Sequence, residues 1–139
     1  MKLQEFIEKG MVRKSTKDIS LAKSLILTAN IDLMFLKNLE INDNSARKIM
    51  TNYYDVLRSL LEAISCLDGY KIYSHEAFFF LLKEKGENQI AQKFDRFRKI
   101  RNSINYYGKN ISVEEVKENK EEIIKIIDTL KIKFLKEIK

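Results

Sequence analysis

The feature that most constrains the fold of this sequence is the absence of proline together with only four glycines in 139 residues. Proline interrupts the interior of a helix and glycine weakens it, so a chain almost free of both can form long continuous helices. Lys, Glu, Ile and Leu make up much of the remainder, a composition that favours helices over strands and turns. We therefore predict an all-α fold, an up-and-down antiparallel bundle of four to five main helices, as a single domain over residues 1–139.

Apolar residues spaced three and four apart predict where the helices lie. The predicted elements are a short helix ending at Gly10, a long helix over residues 17–39, a second long helix between the turn at 42–44 and Gly69, a short buried helix after Ser74, a helix from near Glu87 to Gly108 and a last helix after Ser112. Ser15 and Ser112, each followed three residues later by an acidic residue, are the predicted N-caps of the first long helix and the last helix. The run KENKEE at 117–122 is predicted to face solvent.

The counts of cysteine and histidine exclude several kinds of site. Cys66 is the only cysteine, so neither an intrachain disulfide nor a thiolate metal cluster can form within the chain. His75 is the only histidine and has no cysteine or carboxylate pair at ligand spacing, so we predict a structural role for it, no metal and no cofactor. No apolar run reaches the roughly 20 residues of a membrane-spanning helix, and the N-terminus lacks the long apolar core of a secretory signal. We expect a cytoplasmic protein without a membrane partner.

Positive charge is concentrated in one part of the chain. The net charge is +6, and residues 1–70 hold 10 basic and 9 acidic side chains whereas residues 71–139 hold 16 and 11. Residues 93–109 alone carry six basic side chains and one acidic one, a local charge of +5. This pattern is typical of a surface that binds a polyanion such as RNA, and also of a solvated helix face in a lysine-rich protein.

An arginine interrupts the apolar stripe of the helix that begins near Glu87. The stripe continues through Ile90, Phe94, Phe97, position 101 and Ile104, and position 101 is an arginine. Because a buried guanidinium without a partner costs several kcal/mol, Arg101 must reach a cleft, an acidic partner or a subunit interface. Arg98, Asn102 and Asn105 form a polar row beside it, a set of hydrogen-bond donors suited to phosphate or ribose.

The stretch RKIRNSINYYGK (98–109), together with LLEAISCLDGYKIYSHEAFFFLL upstream and the order of the helices, resembles the HEPN domains of prokaryotes, especially small archaeal members. The resemblance covers the chain from about residue 15 to the end, and its one sharp motif is an Arg-x4-His element. In this family such domains are metal-independent endoribonucleases, or partners of small nucleotidyltransferases in toxin–antitoxin pairs, and the active cleft forms where two motif helices meet in a dimer.

Residue by residue, the resemblance assigns the motif arginine to Arg101, the following polar residue to Asn102 and the histidine position to Tyr106. A phenol with a usual pKa near 10 is a poor base at neutral pH, so the resemblance implies weakened catalysis. The resemblance thus gives Arg101, Asn102 and Tyr106 as the candidate catalytic residues. The basic segment and the polar row give the candidate nucleic-acid-binding residues, which are Arg98, Lys99, Arg101, Asn105 and Lys109.

Three functions are consistent with these residues. The first is a homodimeric module that binds RNA or a nucleotide, with Arg98, Arg101 and Asn102 lining the groove, and that pairs with a nucleotidyltransferase. The second is an active ribonuclease in which Arg101 stabilises the developing negative charge, Asn102 orients the phosphate and Tyr106 donates a proton. The third is a protein-interaction module whose basic row binds an acidic partner. On an ideal helix positions 101 and 106 are about 140° apart, so we expect their meeting to need a loosened helix or a second subunit.

Overall fold

A computed structural model describes residues 2–136, which form six helices and one small sheet. The elements in chain order are α1 Leu3–Glu8, β1 Val12–Lys14, α2 Ile19–Lys37, α3 Ala46–Asp68, β2 Tyr70–Ile72, α4 Ala77–Glu84, α5 Asn88–Tyr107 and α6 Val113–Phe134. The predicted all-α helical bundle is confirmed, with four long helices and two short ones. Gly108 ends α5 in the left-handed conformation, as the sequence predicts.

Helix α3 is the centre of the bundle. It packs against α2, α5 and α6, so apolar side chains are buried around most of its circumference. Two adjacent tyrosines, Tyr53 and Tyr54, are both fully buried, together with leucines one and two turns further along. Because adjacent helix positions differ by 100° in direction, burial of both tyrosines means that neighbouring helices cover two sides of α3 at this level.

The two-stranded sheet was not predicted. Strands β1 and β2 pair antiparallel, with Val12 opposite Ile72 and Lys14 opposite Tyr70. The backbone N–H of Ser15 donates to the carbonyl of Gly69 at 2.7 Å, which extends the pairing by one step. Three-residue strands are too short for a periodic pattern to reveal, so only the tertiary contact between the two segments identifies them.

Some boundaries and faces differ from those that the sequence predicts. Helix α2 is capped by Asp18, whose carboxylate accepts from the N–H of Leu21, and not by Ser15, which the sheet contact holds outside the helix. The predicted cap at Ser112 is confirmed, since its hydroxyl accepts from the N–H of Glu115. Asn119, predicted to face solvent, is buried because its amide bonds side chains inside the bundle. Ile138, whose spacing continues the apolar stripe predicted for the last helix, lies outside the described residues.

Helix α2 corrects the expectation about apolar runs. Among residues 2–136 it is the one helix long and apolar enough to cross a membrane by length and composition. Four residues on one side of α2 are buried against the bundle, namely Ala22, Ala29, Leu33 and Leu36. A core helix of a soluble protein can have the same length and apolar composition, so these two properties alone do not identify a membrane segment.

Candidate functional site

Arg101 lies between two aromatic rings. Its guanidinium carbon is 5.9 Å from the centroid of the Tyr54 ring and 5.7 Å from that of Tyr106, within the range of a cation–π interaction. Nη1 donates to the side-chain oxygen of Asn102 at 3.2 Å, while Nε is buried without a hydrogen-bond partner among the described residues. Arg101 therefore has both a cation–π environment and an unused buried donor.

The Tyr54 ring connects Arg101 to the only histidine of the chain. The Tyr54 hydroxyl and Nδ1 of His75 are 3.0 Å apart, and the two rings stack with their centroids 5.8 Å apart. The hydroxyl donates to Nδ1 or Nδ1–H donates to the hydroxyl oxygen, depending on the imidazole tautomer. In either tautomer Nδ1 is occupied, so Nε2 is the nitrogen left for another group.

Burial and charge keep both members of this pair neutral at neutral pH. Burial is the main cause that lowers the pKa of His75 from 6.5 to about 4, and the positive charges of Arg58, Arg101 and Arg98 lower it further in the same direction. Burial also raises the pKa of the Tyr54 phenol far above its ordinary value. We call Tyr54, Arg58, His75, Arg98 and Arg101 the arginine site.

Carboxylates compensate two of the three guanidiniums. Arg98 donates to Asp95 at 2.9 Å, and Arg58 donates to Glu62 at 3.2 Å. Arg101 forms no salt bridge among the described residues, although Asp55 on α3 is near enough to interact with it electrostatically. The sequence left a cleft, an acidic partner or a subunit interface open for Arg101. Within the described part of one protomer, Arg101 lies in an aromatic cleft and has no direct acidic partner.

The predicted catalytic residues contact one another within a single protomer. Nη1 of Arg101 lies 3.4 Å from the Tyr106 hydroxyl, a long hydrogen bond, in addition to its bond to Asn102. The expectation that positions 101 and 106 need a loosened helix or a second subunit is wrong, because α5 is continuous through Tyr107 and the two long side chains bridge the angle between their positions. Tyr106 is otherwise largely exposed.

The predicted nucleic-acid residues lie on more than one surface. Asn105 and Lys109 are exposed near the end of α5, whereas Lys99 donates to Asp95 at 3.2 Å and lines an open groove of about 580 Å³. That groove also contains Phe79 and Arg96, whose guanidinium bonds Glu122 of α6. The local excess of positive charge is therefore partly neutralised by carboxylates from the same helix and from α6.

Sequence reasoning did not find Tyr54, Arg58 or the position of His75. Tyr54 lies beside Tyr53 in the sequence, with no local pattern that separates their roles, and His75 is 26 positions away from Arg101 in the chain. The presence of only one histidine was the available signal, but its contact with Tyr54 depends on how the turn before α4 packs against α3. Among the described residues, no group of three or more His, Cys, Asp or Glu side chains is placed to hold a metal ion.

Comparison of the chain with protein-family models, curated proteins and solved structures finds no match. The resemblance to HEPN domains therefore rests on the residues quoted for it.

Proposed function

We propose that the chain is a HEPN-like module that binds RNA or a nucleotide, with a phosphate group held at the arginine site. The observation that carries this proposal is the partly buried guanidinium of Arg101, which forms no salt bridge in the described part of the protein. A guanidinium bonds phosphate oxygens through several parallel donors, and a hydrogen bond to a charged group contributes about 1.5–3 kcal/mol. A phosphate at Arg101 compensates the charge of a guanidinium that lacks a salt bridge.

The same geometry supports weak catalysis at most. Tyr106, in the position of the family histidine, is a phenol, and phenols are poor bases at neutral pH. The nearby imidazole of His75 has Nδ1 occupied by Tyr54, and its low basicity leaves little imidazolium to donate a proton at pH 7. Binding is therefore the first function that we propose.

A metal-independent endoribonuclease is the second candidate. One observation favours it: Arg101 contacts both Asn102 and Tyr106 within one protomer, so the three residues that the resemblance assigns to catalysis form one cluster. In that mechanism the ribose 2′-hydroxyl attacks the phosphorus and releases its proton to water, Arg101 stabilises the negative charge of the phosphorane, and Tyr106 protonates the leaving 5′-oxygen. Cleavage of single-stranded RNA in EDTA that is lost in Arg101→Met tests this candidate, and intact RNA of varied sequence after long incubation excludes it.

Other parts of the proposal concern partners and location. We propose a homodimer, a small nucleotidyltransferase as a partner in a toxin–antitoxin pair, and a cytoplasmic location, which suits a chain with one cysteine that is buried and free. Co-purification of this chain with the product of a neighbouring gene tests the pairing. A protein-interaction module without RNA binding remains the alternative if the nucleic-acid experiment below fails.

The binding test compares two arginine variants of equal charge. Fluorescence anisotropy with labelled single-stranded RNA is measured for the wild type, Arg101→Met and Arg47→Met, where Arg47 is an exposed arginine on α3 outside the site. Loss of one charged hydrogen bond predicts affinity at least about ten-fold weaker for Arg101→Met. The slope of log affinity against log salt should also decrease by about 0.7 in Arg101→Met, the value for one phosphate contact on a single strand. Equal affinities of the two variants would show that the site does not hold phosphate.

A further inference from the structure

Helix α2 presents a second apolar face, directed at solvent. Five of its large apolar side chains are more than half exposed, including Ile19 at 52% at the start of the helix. The other four are Leu27 at 62%, Ile31 at 58%, Met34 at 69% and Phe35 at 62%. Steps of four, three and one place them on a single side of the helix, opposite the side that packs on the bundle. We call these four residues the α2 stripe.

An apolar surface of this kind indicates an interaction. Scattered exposed apolar residues are ordinary, but contiguous ones on one face mark sites that bind a protein or a membrane. The spacing of Leu27, Ile31 and Met34 is also that of the core positions of a two-stranded helical seam. The charges beside the stripe then decide which occupant fits.

One edge of the α2 stripe is acidic. Phe35 lines a groove of about 260 Å³ between α2 and α3, and this groove also contains the carboxylates of Asp32 and Asp55. Neither carboxylate forms a salt bridge with another described residue. In a protein with a net charge of +6, this edge is a local site for a cation from outside the protomer.

The opposite edge is basic. Lys131 of α6 donates to the side-chain oxygen of Asn30, which places its ammonium on that side of α2. Residues 30 and 32 are about 200° apart around the helix and about 3 Å apart along it, so Lys131 and Asp32 lie at nearly the same level on opposite edges. Lys37 is also exposed on the basic edge.

We infer that a second copy of this chain packs on the α2 stripe, with the two α2 helices parallel about a two-fold axis that runs along them. Such an axis brings opposite edges together, so Asp32 of each copy meets Lys131 of the other, twice in one interface. A two-fold axis perpendicular to the helices brings like edges together and sets Asp32 against its own copy. The inference keeps the homodimer of the proposed function but places its interface on α2, in place of the α5 contact that the resemblance implies, and it does not depend on phosphate binding at Arg101.

The same charges disfavour a membrane as the occupant. Helices that lie on anionic membranes carry Lys and Arg on the polar face and bury their apolar face among lipids. Here Asp32 and Asp55 border the apolar stripe on one side, where an anionic lipid surface would repel them. A second copy of the chain places an opposite charge against each of the two edges.

Sedimentation equilibrium of the full chain tests this interface. We expect a dimer in the wild type and a dimer at least ten-fold weaker in Met34→Glu. The matched control is Tyr107→Glu, which places the same charge on another highly exposed residue, at the end of α5. It should leave the dimer intact. Circular dichroism of both variants checks that the fold is kept, as expected for exposed positions.

Charge reversal and cross-linking test the parallel arrangement. Asp32→Lys and Lys131→Glu should each weaken the dimer, and the double variant should recover it. Leu27→Cys and Met34→Cys should each form a disulfide with the same position of the other copy, because a parallel seam places both positions against themselves. Cys66 is buried and does not interfere.

Four outcomes would overturn the inference. A monomer at all concentrations excludes a dimer, and sensitivity to Tyr107→Glu with insensitivity to Met34→Glu moves the interface to α5. Cross-linking at only one of the two cysteine positions indicates an antiparallel seam. Binding to vesicles of anionic lipid that Met34→Glu abolishes identifies a membrane as the occupant. RNA affinity, measured on Arg101→Met in separate experiments, decides the proposed function whichever of these outcomes is found.

Discussion

The titration of His75 is the most direct test of the geometry of the arginine site. Its pKa is expected near 4, and the positive charge of Arg101 is one of the causes. Arg101→Met removes that charge and keeps much of the apolar volume, so the pKa of His75 should move upward toward 6.5. Arg47→Met removes the same charge from a position that is not among the causes and should leave the pKa where it is. The imidazole signals in a proton–carbon NMR titration report the value directly, because the chain has one histidine.

The same pKa predicts a pH dependence of stability. The unfolded chain has an ordinary histidine, so between pH 6.5 and about 4 it binds more protons than the folded chain. The contribution of neutral His75 is therefore complete above pH 6.5 and is lost as the pH falls toward 4. The unfolding free energy should change by at most about 1.4 kcal/mol per pH unit, and solvent around the partly exposed ring reduces this value.

Urea unfolding at several pH values measures this slope as the difference between the wild type and His75→Gln, which cancels the titration of carboxylates common to both. A His75 pKa near 6.5 that does not respond to Arg101→Met would refute the placement of the imidazole beside the guanidiniums. A difference in unfolding free energy between the wild type and His75→Gln that stays constant over this pH range would refute the same placement independently.

Two paired substitutions test the packing around the site. The buried hydroxyl of Tyr53 has no hydrogen-bond partner among the described residues, so Tyr53→Phe should raise the unfolding free energy by about 1 kcal/mol. Tyr54→Phe loses the hydrogen bond to His75 and should lower the unfolding free energy by about 0.5–1.5 kcal/mol. Urea unfolding measures both values, and a Tyr54→Phe variant more stable than Tyr53→Phe would contradict the prediction. Gly69 has φ +80°, and an added Cβ would lie 2.8 Å from a backbone oxygen, so Gly69→Ala should cost at least about 1 kcal/mol more than Gly10→Ala, which has a similar φ and open space. Equal melting temperatures of the two alanine variants would contradict the close contact.

The long helices followed from the sequence because their signals are local. Periodic apolar residues, helix-ending glycines and the cap at Ser112 act within one or two turns, so α3, α5 and α6 begin and end close to the predicted residues. The burial of Asn119 was missed because a polar residue predicts exposure unless its partners are known. Those partners, Arg96 and Met50, are distant in sequence.

For the candidate site too, the sequence determined the part that lies on one helix, and the tertiary structure determined the rest. The sequence by itself determined that an arginine stands on the apolar stripe of α5 and that Asn102 and Tyr106 stand near it, since one helix carries all three. Only the tertiary structure decided that Arg101 reaches the rings of Tyr54 and Tyr106, and that His75 joins the site. The physical reason is that local pattern fixes the direction of a side chain from its own helix, whereas its neighbours and its pKa depend on which other helices pack against it.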